Sequence, residues 1–308
     1  MVTLIDILGC DYPIIQGGMA NIATHKLCAA VSEAGAFGLI GSGGWDVDRV
    51  REEIRLTRTL TDKPFGVNIM LMSPHAEVIS DMIIEEGIKV VTTGAGNPGI
   101  YMAKWKQAGM KVIPVVASVA LAKRVERNGA DAVIVEGTEA GGHVGELTTF
   151  TLIPQVADAV NIPVIAAGGI ADSRGFDAAI CLGASGVQIG TVLLASTECP
   201  IHENYKQKVV QAKDTDSVVT GRGTGAPVRV LKNKMSRQYL DMQKQQVPLH
   251  EMEKLTLGSL RRAVFDGDMD LGSIMAGQSA GLVKTVRPVQ EIILDIYEHS
   301  RYGKGEIR

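Results

Sequence analysis

The sequence predicts an α/β fold, a (β/α)8 barrel with a C-terminal helical appendage. Three observations predict it. Eight short, β-branched apolar runs recur through the first two-thirds of the chain, at 13–16, 37–40, 65–69, 89–92, 112–115, 132–135, 163–166 and 186–189. Each is continuous rather than alternating, as strands buried on both faces should be. Helical patterns separate them, and glycine-rich turns follow several of them, at the strand ends where barrels keep their functional groups.

The intervening helices read clearly. Residues 26–34, 47–60, 76–86 and 117–128 carry apolar stripes, and Gly87 and Gly129 stand just past two of their ends. Glycine there is the usual helix stop. The competing fold, an open doubly wound sheet, asks for an early GxGxxG turn opening a helix. Gly41-Ser42-Gly43-Gly44 follows the second run but lacks the third glycine at that spacing.

The chain has 308 residues, of which 45% are apolar, 4% aromatic and 35 in number glycine. That suffices for one large core, with small residues for close packing. The division expected is a barrel over 1–198 and a helical appendage over 199–308, covering the mouth as part of the same unit. In the appendage 257–265, 271–282 and 289–299 look helical, while 199–255 is polar and gives no clear pattern.

The net charge of −3 carries no global basic excess, which argues against nucleic acid. No apolar run reaches the roughly 18 residues of a spanning helix. The N-terminal stretch has no positive region followed by a cleavage site, so a cytoplasmic protein is expected. The four cysteines, Cys10, Cys28, Cys181 and Cys199, form no metal spacing and read as reduced thiols; no metal is expected.

The candidate site residues lie at strand ends. Gln16-Gly17-Gly18-Met19 follows the first run, where bare glycines let a flat ligand approach the backbone. Asn68 ends the third run, and an amide in an apolar run must find a hydrogen bond. Turns at 92–96 and 114–118 are further candidates for the pocket wall. The sixth run leads into Glu136 and then 137–145, where His143 stands among glycines as a candidate general acid. Gly168-Gly169 and Gly190-Thr191 follow the last two runs. Barrels bind phosphate there with backbone N–H groups. That pair fixes a phosphate, not its bearer. Among phosphate-binding barrels, the inosine monophosphate dehydrogenase type needs a loop cysteine nucleophile, and Cys199 in Glu198-Cys199-Pro200 does not look like one. Finally, 222–237 holds Arg222, Arg229, Lys232, Lys234 and Arg237 with no acid. It reads either as a basic docking face or as an ordinary solvated one.

Taken together these residues resemble the flavin-dependent enoyl-acyl-carrier-protein reductase II group within the nitronate monooxygenase (2-nitropropane dioxygenase) family. The resemblance rests on Asp11 through Met19, Lys63 through Met70, Val90 through Pro98, Glu136 through Gly145 and Met275 through Val283. The last stretch lies outside the barrel motifs and favours the reductase branch. The resemblance implies FMN, NADH or NADPH as reductant, an enoyl thioester on acyl carrier protein, a homodimer, and a response to monovalent cations. It also implies His143 as the active-site histidine, with Gly18, Met19, Asn68, Glu136, Gly142, Gly168, Gly169, Gln188, Gly190 and Thr191 near the flavin. The stretch 219–226 departs from the family pattern. Two rival activities remain open on the residues alone: nitronate oxidation, and non-catalytic binding of a phospholigand.

Overall fold

The computed structural model describes residues 3–306; Met1 and Val2, the start of the N-terminal stretch, lie outside them. Eleven strands occur among the described residues: β1 (Ile14–Gln16), β2 (Gly38–Gly41), β3 (Phe65–Met70), β4 (Val90–Gly94), β5 (Lys111–Val116), β6 (Val133–Glu136), β7 (Gly142–His143), β8 (Val164–Ala167), β9 (Gly186–Ile189), β10 (Ser217–Thr220) and β11 (Val228–Leu231). Eight of them form one parallel sheet in the order β1-β9-β8-β6-β5-β4-β3-β2. The expected seventh and eighth barrel strands are therefore β8 and β9.

Closure needs β1 to meet β2, and there the ladder is thin. A single parallel bridge, Ile15 to Phe37, joins them. The Gln16 side chain completes the seam: its Nε2 donates to the Leu39 carbonyl at 2.8 Å, and its Oε1 accepts from the Leu39 N–H at 3.4 Å. Gln16 is fully buried. A buried amide side chain here replaces two backbone ladder bonds that the short β1 cannot make.

Side chains alternate across the barrel wall. Ile15, Leu39, Val90, Ile113, Ile134 and Ile165 fill the interior, while Ile14, Ile40, Val91, Val112, Val133 and Val164 pack under the helices. The helix Leu4–Leu8, opened by a Thr3–Asp6 capping box, adds Leu4, Ile7 and Leu8 to the interior cluster. Leu4 touches Gly186 at the start of β9, where a Cβ would lie 2.6 Å from it and 2.4 Å from the Pro13 carbonyl. The bottom of the barrel is thus plugged, and the open end is the one where the strands finish.

The segment after β9 is mostly helical but not wholly so. β10 and β11 form an antiparallel hairpin whose outer partner is β7, with Val228 opposite His143 and Arg229 opposite Gly142. The unassigned polar region thus contains a small second sheet that reaches back to the His143 loop. The stretch 271–282 is not the expected helix. It runs extended into a short 3-10 turn at Gln278–Leu282. Gly272, Gly277 and Gly281 explain this, since glycine in a helix interior costs about 1 kcal/mol each.

Of the basic run, Arg222, Lys232, Lys234 and Arg237 are exposed, with Arg222 paired to Glu146 and Lys232 donating to the Thr215 carbonyl, while Arg229 alone is buried. The departing stretch 219–226 is the tip of the hairpin, turned by Gly221 and Gly225 at φ 79° and 80°.

Candidate active site

A cavity of about 480 Å³ opens at the strand ends. His143 and all ten residues expected near a flavin line it. The volume falls in the range of small-molecule and cofactor pockets. Sequence reasoning missed several of its walls: Met70, Leu121, Leu260, Met275 and Ser279. Leu260 and Ser279 come from the C-terminal segment, where no strand-end rule points.

The two glycine turns stand side by side because β8 and β9 are neighbours. Gly168 and Gly169 have φ of 98° and 79°, a left-handed backbone that favours glycine. The amides of Gly168, Gly169, Gly190 and Thr191 make no backbone hydrogen bond among the described residues. Thr191 is buried and the three glycines line the cavity, so these free donors are available to a ligand there. Thr191 Oγ1 accepts the Gly277 N–H at 2.9 Å, which leaves the hydroxyl proton for the cavity. The Gln278 N–H donates to the Glu139 carbonyl at 2.9 Å. A strap, residues 275–279, is thereby fastened across both the phosphate turn and the His143 loop. These donors and their glycine cradle fit the phosphate of a flavin nucleotide.

On the opposite side, Gly18 has no room for a side chain. A Cβ there would fall 2.2 Å from Asn68 Cγ. The glycine that sequence reading assigned to a flat ligand is therefore required first by Asn68. Asn68 Oδ1 accepts from Thr92 Oγ1 at 2.9 Å, and Nδ2 makes only a long 3.5 Å contact to the Gly18 carbonyl. The amide nitrogen thus keeps donating capacity toward the cavity.

His143 sits on β7, partly exposed at the mouth. Burial lowers its pKa below the ordinary 6.5, so the imidazole is neutral near pH 7. Glu136, at the end of β6, touches the cavity but is otherwise enclosed by protein. Burial pushes its carboxyl up to about 8, so near pH 7 it is largely protonated and able to donate. The sign follows from linkage. The unfolded chain loses this proton near 4.5, the folded one near 8, so stability is greatest below 4.5 and erodes as pH rises through about 8. In cofactor-free protein, Glu136→Gln is expected to flatten this slope. Denaturant midpoints at about pH 5 and pH 8 check it; an unchanged slope would assign the pH dependence to another group.

Cys199 is buried, and its thiol is pushed up to about 12 by that burial. Such a thiol is no nucleophile. Among the described residues no group of three His, Cys, Asp or Glu side chains could hold a metal ion, and no helix is long and apolar enough to cross a membrane.

The structure is similar to that of FabK from Thermotoga maritima, with 51% identity, a TM-score of 0.95, and coverage of 98% of this chain and 97% of that one. Among curated sequences it resembles a probable nitronate monooxygenase of Staphylococcus saprophyticus, 35% identical over 90% of this chain and 92% of the relative. It also resembles a hydroxy-methyl-oxo-octahydro-indene-carboxyl-CoA dehydrogenase of Mycobacterium tuberculosis, 32% identical over 95% and 94%. The family model described as nitronate monooxygenase matches residues 2–299. With a barrel, a phosphate cradle and a histidine at one mouth, and a family match along nearly the whole chain, the protein belongs to the nitronate monooxygenase family of flavin oxidoreductases.

Proposed function

We propose that the protein reduces trans-2-enoyl-acyl-carrier-protein to acyl-carrier-protein with NADH or NADPH, using FMN, in the cytoplasm and as a homodimer. The observation that carries this reading is the likeness to FabK, an enoyl-acyl-carrier-protein reductase II, at 51% identity over 98% of the chain. The carboxyl-CoA dehydrogenase among the relatives supports work on thioester-bearing substrates.

The residues divide the task. The amides of Gly168, Gly169, Gly190 and Thr191, with the Thr191 hydroxyl, would hold the phosphate of FMN. Asn68 and protonated Glu136 can donate hydrogen bonds to the polar edge of its ring. When bound, FMN would supply two-electron transfer between the nicotinamide and the enoyl thioester. Reduction at the β-carbon leaves negative charge on the thioester oxygen. The neutral His143 imidazole can donate its N–H to that oxygen, and the α-carbon then takes a proton.

One observation favours a second reading. A histidine held neutral accepts a proton more readily than it gives one. Facing a small acidic carbon compound, His143 would serve as a base, as nitronate oxidation requires. Two assays on purified, FMN-loaded protein separate the readings. NADH or NADPH oxidation should depend on crotonyl thioester, and nitronate-dependent oxygen uptake should be minor. The reverse pattern overturns the reductase reading. Protein that stays colourless after FMN is added overturns both.

A further inference from the structure

We infer that Arg229 is a positioning residue: its buried guanidinium clamps the loop that carries His143 and so sets where the imidazole stands in the cavity. The inference rests on His143 acting on substrate, as proposed above.

β7 takes no place in the barrel sheet. Its ladder partner is β11, through the pairs Val228–His143 and Arg229–Gly142, extended by the Val144 N–H donating to the Pro227 carbonyl at 3.2 Å. That holds one end of the loop. Arg229 holds the other. Its Nε donates to the Thr138 carbonyl at 2.9 Å, and its Nη1 donates to Ser217 Oγ on β10 at 2.9 Å. One residue of β11 thus meets the loop twice, by backbone at Gly142 and by side chain at Thr138.

The chemistry of the contact argues for position over mere filling. Arg229 is 6% exposed, and its bonds go to a carbonyl and a hydroxyl rather than a carboxylate. Glu139 offsets its charge only through space, without a hydrogen bond, and burial and the nearby Arg222 oppose that charge; an apolar side chain would fill the space at less expense. What an apolar side chain cannot do is reach a backbone carbonyl at the root of the loop. The planar fork of arginine spans from hairpin to loop in one rigid group.

The test is a double-mutant cycle. Arg229→Met is expected to lower kcat for enoyl-thioester reduction about tenfold or more, with KM and bound flavin little changed, because a displaced catalytic group loses rate rather than binding. In a His143→Ala background the same change should cost less than about twofold, since the residue it positions is gone. Hydrogen exchange of the amides at 138–144 should quicken in Arg229→Met and not elsewhere in the barrel. Arg229→Lys, which can still reach the Thr138 carbonyl with one donor, should recover part of the rate, and it replaces the methionine variant in the cycle if that variant folds poorly. Equal losses in both backgrounds, or unchanged exchange at 138–144, would overturn the clamp. If His143→Ala alone leaves turnover intact, the reductase mechanism fails instead, while the exchange result still decides the clamp.

Discussion

Replacing His143 with alanine is expected to lower enoyl-thioester turnover by about 10²- to 10⁴-fold, the usual span for a positioned acid or hydrogen-bond donor. Flavin should stay bound. The phosphate donors directly follow β8 and β9, and the Asn68 amide lies on β3, all outside the sheet that carries His143. The two parts of the site can therefore fail separately. Flavin content by absorbance, measured beside turnover, reads both. A parallel loss of flavin and rate would mean that the histidine supports the pocket rather than the chemistry. Turnover unchanged with flavin present would remove His143 from the mechanism.

The second large effect is expected at Gly277. A Cβ there would lie 2.6 Å from the Glu139 carbonyl, 3.1 Å from Thr191 Oγ1 and 3.2 Å from the Gly141 N–H. Two of those three atoms are backbone, so no rotamer relieves the contact. The strap must lift, and with it goes the Gly277 N–H bond to Thr191 Oγ1 and the neighbouring Gln278 N–H bond to Glu139. Thr191 then loses the partner that orients its hydroxyl toward the phosphate site. Gly277→Ala is expected to weaken FMN binding by about tenfold to a hundredfold, the span typical when groups that orient direct ligands are lost. Titrating FMN into stripped protein and following flavin fluorescence measures it. Wild-type affinity in the variant would show that the strap does not support the phosphate turn.

The barrel was legible because its strands are buried on both faces, which leaves continuous apolar runs that no helix imitates over so few residues. The helix Val47–Leu60 matches its expected bounds, and each barrel strand lies within about two residues of its run. The glycine turns were legible for the same reason: they follow those runs directly. The second sheet was harder. β7 is only Gly142–His143, and two residues carry no period. The hairpin did leave a signal. Ser217–Thr220 and Val228–Leu231 are β-rich and flank Gly221, Gly223 and Gly225, a glycine-punctuated turn. The charges around it concealed that pattern, because a run of arginine and lysine reads as solvent-facing. Arg229 is the clearest case. Its charge argued for the surface, while its contacts with Thr138 and Ser217 hold it inside.

The same architecture bears on the order in which the molecule matures. The last barrel strand ends at Ile189, but the helix Val289–Glu298 packs against the helices His25–Glu33 and Ser173–Cys181, so the barrel wall is complete only once the C-terminus has been made. Residues up to Ile189 include the first glycine turn but neither the strap nor the β11 that the histidine loop lies against. The contacts to Thr191 and to the His143 loop both come from the C-terminal third. A chain that stopped after its last barrel strand would thus lack an outer helix of the wall, the strap and the β11 contact all at once.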